Sequence, residues 1–415
     1  ALASGASQTG FGRTGTVDWQ TGSIKTATFT AANGEGYFAN TSGSAFNMNL
    51  PAGVAGAIVS VADYGSDFAT NALTVVPNGS DKIGGINANA VLTTEGQSVT
   101  LVFVDSTEGW VTVNDSTENI TQNPNLAATG GTVTECGNCK IHTFTGPGTF
   151  AVSNISTTPA NNTISYLVIA GGAGSGVNPG AYGGGGGAGG FREVESPTTP
   201  YTASPLDGYP SAPNRVTVTL SSFPITVGAG GSGHSNGSDS IFSTITSAGG
   251  GRGAINGSGA PVPCSPASAG GSGGGGNFSY TGAGAGNTPP TTPSQGNNGG
   301  TGLNTPPAYG SGGGGGAGAV GQNGTSSKGG NGGDGVSTEI TGSAVTRAGG
   351  GGGFAVNTGI QGGTGGSGGG GPGNGPAGPT GSPGTANTGG GAGGAGPDAT
   401  TNGGSGIVVI RYKFQ

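Results

Sequence analysis

The sequence predicts an all-β protein: an N-terminal β-sandwich or jelly roll over residues 16–115, then a β sheet that brackets a bundle of polyglycine-II helices, with essentially no α-helix. Three observations carry this. The strong helix formers Lys, Glu, Gln, Met and Arg are scarce, and no long stretch repeats its apolar residues at a 3.6-residue period. Short β-branched segments separated by turn residues fill the first part of the chain. The last 245 residues hold 80 of the 101 glycines, grouped in blocks and closed at each end by an apolar strand.

Taken in order, residues 1–15 read as a lead-in or attachment segment; the chain begins at Ala1 and is expected to be processed or partial. Strands are expected at 24–30, 36–40, 45–50, 57–63, 72–76, 90–93, 98–105 and 110–114. Asn33-Gly34, Asn78-Gly79-Ser80-Asp81, Gly84-Gly85 and Glu108-Gly109 supply the turns. Eight short strands at that spacing suit a sandwich. Its core draws on Phe38, Phe46, Leu50, Ile58, Val61, Leu73, Val75, Val99, Leu101, Phe103, Trp110 and Val113.

Residues 116–131 read as a linker. A small β unit, 132–170, opens the C-terminal domain: strands 132–135 and 140–144 flank the turn CGNC, and 148–154 follows. The most apolar strand, TISYLVIA (163–170), runs straight into Gly171-Gly172. GIVVIRYKF (406–414) closes the glycine-rich domain, 171–415, and is expected beside 163–170 in one sheet. Residues 216–220 and 223–227 read as a hairpin and 240–246 as one more strand.

Glycine costs more conformational entropy to order than any other residue. Blocks such as GGGGGAGG (183–190), GGSGGGG (270–276), GGGGGAG (312–318), GGNGGDG (329–335) and GGGGGF (349–354) are therefore either flexible linker or a lattice of backbones packed closer than side chains permit. Flexible linkers are not closed off by apolar strands, which favours the lattice. Polyglycine-II helices have three residues per turn and no internal hydrogen bonds, so side by side they can bond to one another. Collagen is the competing reading, but the G-X-Y period survives for only three triplets in GPAGPTGSPG (375–384).

Charge is sparse: 7% of residues, with 11 Lys and Arg in all, so no basic patch for nucleic acid is expected. No apolar run approaches a membrane span. Cys136 and Cys139 form one CxxC across a hairpin turn with His142 nearby. That is half a zinc site, and Cys264 alone cannot complete it, so free thiols or a local disulfide are expected and no metal. His234 has serines and Asp239 close in sequence, but serine is common throughout this chain. GAGGSG (228–233) lacks the Lys-Ser/Thr and the helix of a phosphate loop. No catalytic residue, enzyme activity or cofactor is expected.

Two stretches resemble known proteins. ALTVVPNGSDKIGG (72–85) and EGQSVTLVFVDSTEGWVTV (95–113) resemble a small β-domain of tail-fibre and appendage proteins of marine, cyanophage-like bacteriophages. TGGTVTECGNCKIHTFTGPGTFAV (129–152), YLVIAGGAGSG (166–176), ITVGAGGSG (225–233) and GGSGIVVIRYKF (403–414) resemble the glycine-rich terminal domain of such proteins, similar to the polyglycine-II adhesins at phage fibre tips. The resemblance implies a non-enzymatic virion protein, extracellular, that attaches to the host through loops between glycine helices. It implies a trimer, other virion proteins as partners, and a host-surface glycan or outer-membrane protein as receptor. Low charge suits adhesion in seawater, where ionic contacts are screened to a few Å.

The interruptions FREVESPTTPYTASPLDGYPSAPNR (191–215) and 277–311 are rich in Pro, Thr and Tyr. Binding tends to live on loops held by a rigid scaffold. Tyr201, Tyr209, Phe278, Tyr280 and Tyr309 are therefore the candidate receptor-binding residues, since aromatic rings give rigid contact area; the competing reading is that they pin their own loops. Two other functions remain open at this stage: a purely structural capsid decoration or head fibre, and an ice-binding protein, although regular Thr-X-Thr spacing is missing.

Overall fold

In a computed structural model the chain separates into two compact units, Ala1–Pro124 and Asn125–Gln415. The residues described are 17–115, 121–122, 125–175, 182–256, 265–305, 309–356, 361–375, 381–396 and 399–415. The lead-in 1–15 and Cys264 lie outside them. Among the described residues the protein is all-β, with two short 3-10 turns, Pro159–Asn162 and Ala212–Asn214, and no helix long and apolar enough to cross a membrane.

The first unit is a pair of five-stranded sheets sharing one core. One sheet runs Asp18–Trp19, Glu35–Ala39, Ile58–Asp63, Ser98–Phe103, Trp110–Asp115; the other runs Thr121–Gln122, Ala90–Leu92, Leu73–Val76, Phe46–Asn49, Phe29–Thr30. From Phe29 to Val76 the chain alternates between the sheets. Each return therefore lays a strand parallel to the previous one in its sheet, as with Gly36↔Ser60 and Phe46↔Leu73. A jelly roll pairs its strands antiparallel throughout; here only the later strands do so. The expected core is largely observed, with Trp110, Leu50, Leu73 and Leu101 fully buried. Each such side chain contributes roughly 1.5–3 kcal/mol on leaving water. Two expected members differ. Val113 is 60% exposed on an edge strand. Phe38 is half-buried against Trp19, at 5.0 Å between ring centroids. Of 24–30 only Phe29–Thr30 forms a strand, with Lys25 bridging to Ala39.

The second unit is layered. Its central sheet has the order Thr132–Cys136, Cys139–Phe144, Ile407–Lys413, Thr163–Ile169, Phe191–Val194. The two most apolar strands pair antiparallel, Leu167↔Val409, and the hairpin strand Cys139–Phe144 flanks the closing strand on its other side. Alternate residues of these strands serve two cores, which explains their unbroken apolar sequence. Tyr166, Val168, Val408, Ile410 and Tyr412 face a second sheet, where they meet Phe150, Ile225, Phe242 and Ile245. That sheet has the order Ala127–Thr129, Gly148–Asn154, Ser222–Thr226, Ser240–Phe242, Ile245–Ser247. Leu167, Ile169, Ile407 and Val409 face Ala188, Ala317, Val336, Ile340 and Ala348, which belong to the glycine runs and a small hairpin, Val336–Thr338 with Val345–Arg347.

Two expected elements differ here. Residues 216–227 do not pair with each other: Val216–Thr217 pairs with Ile164 and Thr163, while Ser222–Thr226 pairs with Gly148–Asn154 and Ser240–Phe242. Residues 240–246 are two strands, because Ser243 turns the chain with φ 54°. In both places a polar break cuts an apolar run, at Ser221-Ser222 and at Ser243.

Candidate functional site

The run 183–190 shows how the glycine blocks pack. The amides of Gly184, Gly187 and Gly190 donate to the carbonyls of Ala254, Gly251 and Ala248. Those of Gly185 and Ala188 donate to Gly312 and Gly315. Those of Gly183, Gly186 and Gly189 donate to Ala395, Ala392 and Gly389, all at 2.8–3.2 Å. Its carbonyls accept from three further runs: Gly190 and Gly187 from Ala170 and Ala173, Ala188 and Gly185 from Ser272 and Gly275, and Gly186 from Gly351. A step of three residues along each partner, with six partners around the axis, is what an extended helix of three residues per turn produces in a hexagonal array. Most of the buried backbone groups of the run find partners in it, as buried amides and carbonyls require.

Two more runs sit inside the array. Run 311–317 donates to 348–354, 273–276 and 319–322, and accepts from 185–188, 297–300 and 330–333. Run 349–355 donates to 368–374 at steps of three (Gly349→Gly368, Gly352→Gly371, Ala355→Asn374) and to 330–333 and Gly186. The glycines here are steric necessities. A methyl group on Gly314 would lie 2.0 Å from the carbonyl oxygen of Gly186, and one on Gly351 would lie 1.9 Å from that of Ala392.

At the rim, where a run lacks a neighbour, an Asn or Asp side chain accepts the outward amide. Asn236 takes the amide of Arg252 and Asp239 that of Gly249. Asn331 takes Thr364, and Asp334 takes both the amide and the hydroxyl of Ser367 at 2.8 Å. Asn298, Asn323 and Asn402 do the same for Gly286, Thr301 and Gly233. In NGSD (236–239) and NGGD (331–334) the two caps are three residues apart, one turn of the helix. Sequence reasoning missed these residues, although that spacing was the available signal.

One edge of the array gathers aromatic rings. Tyr182, Phe278 and Tyr309 are half-buried, with centroids 5.7 Å apart from Tyr182 to Phe278 and 5.2 Å apart from Phe278 to Tyr309. Tyr182 also meets Phe354, which is buried, at 5.2 Å. The mounts are stiff. Asn277, fully buried, donates to the carbonyl of Tyr182 and accepts the amides of Ser279 and Tyr280, fixing the turn that carries Phe278. Gly310 bridges to Ala355, and the amide of Val356 donates to the carbonyl of Tyr309. Phe278 and Tyr309 were expected from the sequence, and Tyr280, on the same turn, is 37% exposed. Tyr182 and Phe354 were not expected. Each borders a glycine block, and only the array brings them together.

The family whose description is "Glycine-rich domain" matches residues 143–413, the span that contains the array and its closing sheet. The chain belongs to this glycine-rich domain family. No curated protein matches it.

The other two candidate residues of the glycine-rich domain are occupied within the protein. Tyr201 donates to Glu193 at 3.1 Å, and its ring lies 5.2 Å from the Arg411 guanidinium. Tyr209 lies 4.4 Å from the Arg215 guanidinium and against the sheet-to-sheet core. Glu193, 2% exposed, is the centre of this end: it accepts from Tyr201, from the Ser204 amide and from the Thr338 hydroxyl. Burial raises its pKa above the ordinary carboxylate range, and burial with the neighbouring Glu193 charge raises that of Tyr201. Loop 196–215 is thus tied to the hairpin 336–347.

Cys136 and Cys139 are free thiols opposite one another across the turn, the second buried. His142 faces the other core, with Nδ1 2.7 Å from the Gly130 carbonyl, and burial lowers its pKa. Among the described residues no group of three His, Cys, Asp or Glu could hold a metal ion.

Proposed function

We propose that this glycine-rich domain protein is a structural component of a phage virion appendage, a tail fibre or its tip, and adheres without catalysis to the host surface. The observation that carries the reading is the hydrogen-bonded array. It holds residues remote in sequence, Tyr182, Phe278 and Tyr309, side by side at one edge on anchored turns. A scaffold built from backbone alone leaves its loops free to differ, and pre-ordered loops lose little entropy on binding. The resemblance of 72–85, 95–113 and the strand-bracketed glycine region to phage appendage proteins supplies the virion context. A host glycan or outer-membrane protein is the receptor, other virion proteins are the assembly partners, and a trimer is the expected state.

Immunogold electron microscopy of phage particles encoding this chain, with antibodies raised against the purified protein, tests the reading. Label on tail fibres is expected. Particles without label would sink it, and label confined to the capsid would replace the adhesin with a decoration protein.

A further inference from the structure

We infer that the row Tyr182–Phe278–Tyr309 is a binding platform for a neutral glycan, a choice of receptor class that rests on the adhesion reading above. Three observations on the row point to it. First, the rings are held side by side, tilted 50–53° to one another, and each keeps part of its surface in contact with solvent. An aromatic face is apolar and weakly negative, and the C–H face of a pyranose ring packs on it.

Second, the hydroxyls at the row are open. Among the described residues none hydrogen-bonds the hydroxyls of Tyr182, Tyr280 or Tyr309; the same is true of Tyr64 and Tyr209, while the hydroxyls of Tyr37, Tyr166, Tyr201 and Tyr412 have protein partners, so at the row it is the clustering of three open hydroxyls that counts. Open phenol groups beside an apolar ring face match a ligand that alternates C–H faces with hydroxyls.

Third, the segments that carry the row are uncharged. Residues 253–327, which carry Phe278, Tyr280 and Tyr309, contain no Asp, Glu, Lys, Arg or His, nor do 174–191 around Tyr182 or 348–397 around Phe354. A sulfated, phosphorylated or uronic glycan would find no cation from these segments and at most the single Lys328, whose backbone lies against Gly310, which is too little to hold a polyanion, so the ligand is neutral. The buried Asn277 clamp and the lattice hold the row in place before the ligand arrives, which keeps the ordering cost low.

The test uses the full-length protein on immobilised neutral oligosaccharides built from glucose, galactose, mannose and N-acetylglucosamine, beside sulfated and uronic-acid oligosaccharides and a proline-rich peptide. Binding to at least one neutral oligosaccharide is expected, and it should persist in about 0.5 M salt because no ionic contact is involved. Tyr309→Leu, which keeps apolar bulk but removes the ring, and Tyr280→Ala, on the exposed side, should each weaken it, Tyr309→Leu by about tenfold or more. Amide exchange of each variant checks that the array is intact. Binding only to the anionic glycans, only to the peptide or to none of the probes would overturn the inference, as would binding unaltered in both variants. Fibre labelling without glycan binding would overturn it while leaving the appendage reading in place. Glycan binding by a chain found on no virion would do the reverse.

Discussion

Gly314→Ala should be among the most damaging single-methyl changes in the chain. Gly314 lies at the contact between the interior runs 311–317 and 183–190. The new methyl would meet the Gly186 carbonyl oxygen at 2.0 Å and its carbon at 2.4 Å, both backbone atoms that cannot rotate away. Ordinary van der Waals contact requires the runs to move apart by more than 1 Å, to judge from the usual ~3.5 Å carbon separation. That breaks the bonds Gly185→Gly312 at 3.1 Å and Ala188→Gly315 at 3.0 Å. Two lost bonds cost about 2 kcal/mol net, and the stranded donors and acceptors, buried out of reach of water, add about 1–3 kcal/mol for each group that finds no new partner. If two of the four groups re-pair, the loss is about 4 kcal/mol or more. Gly282→Ala is the control, since its methyl meets nothing within 4 Å; stiffening the unfolded chain there should stabilise by up to about 1 kcal/mol. Urea unfolding of both variants with equal slopes would measure the difference. If they unfold within about 0.5 kcal/mol of each other, the runs do not pack at the described distance and the array argument fails.

Three further outcomes follow from the same geometry. Asp334→Ala removes the acceptor for both groups of Ser367 and should cost about 1 kcal/mol; amide exchange at Ser367 should quicken, and an unchanged rate would refute the rim-cap role. Burial raises the pKa of Glu193, so the folded chain holds its proton more tightly than the unfolded chain. That contribution is complete below the ordinary carboxylate range and is lost as pH rises through the raised value. Glu193→Gln should flatten that part of the pH–stability curve, and a curve of unchanged slope would count against it. Burial lowers the pKa of His142, so its contribution is complete above the ordinary histidine range and is lost as pH falls toward the folded value; His142→Gln should remove this acid-side slope, and thermal unfolding across that range would expose a failure.

The strands were legible because their signal is local. TISYLVIA and GIVVIRYKF are apolar on both faces, and a strand buried on both faces needs that composition. Val113 misled because it is the extra residue of a β-bulge, left without a partner between the pairs Leu101↔Thr112 and Thr100↔Asn114, so it falls outside the alternation that its neighbours follow. The parallel pairs of the first unit were equally hidden, since they arise from the order in which the chain visits two sheets. In the glycine region the existence of threefold helices could be read, because apolar strands close off runs too rich in glycine to pack by side chains. Which runs touch could not, because the contacts are made by backbone groups common to all residues. The aromatic row shows the limit most clearly: Phe278 and Tyr309 stand out in their loops, but Tyr182 joins them only through the order in which the runs stack.

That limit raises a question of specificity. A run of glycines could slide by one residue past its neighbours and still make every backbone bond, so hydrogen bonding alone cannot fix the register. The alanines can. Ala188, Ala317 and Ala348 belong to the three interior runs or their ends, and all three lie in the apolar cluster with Leu167, Ile169, Phe191, Ile407 and Val409 of the closing sheet. A slip of one residue in 183–190 would turn the Ala188 methyl by about 120°, away from the sheet and into a neighbouring backbone. One rim cap adds to this from the outside: Asp334 accepts the Ser367 hydroxyl, a group that a slipped register would carry away from it. The non-glycine residues in the blocks are therefore its addresses. Because they connect the array to the sheet on one side and to the outer runs on the other, they also set where Tyr182, Phe278 and Tyr309 stand relative to one another.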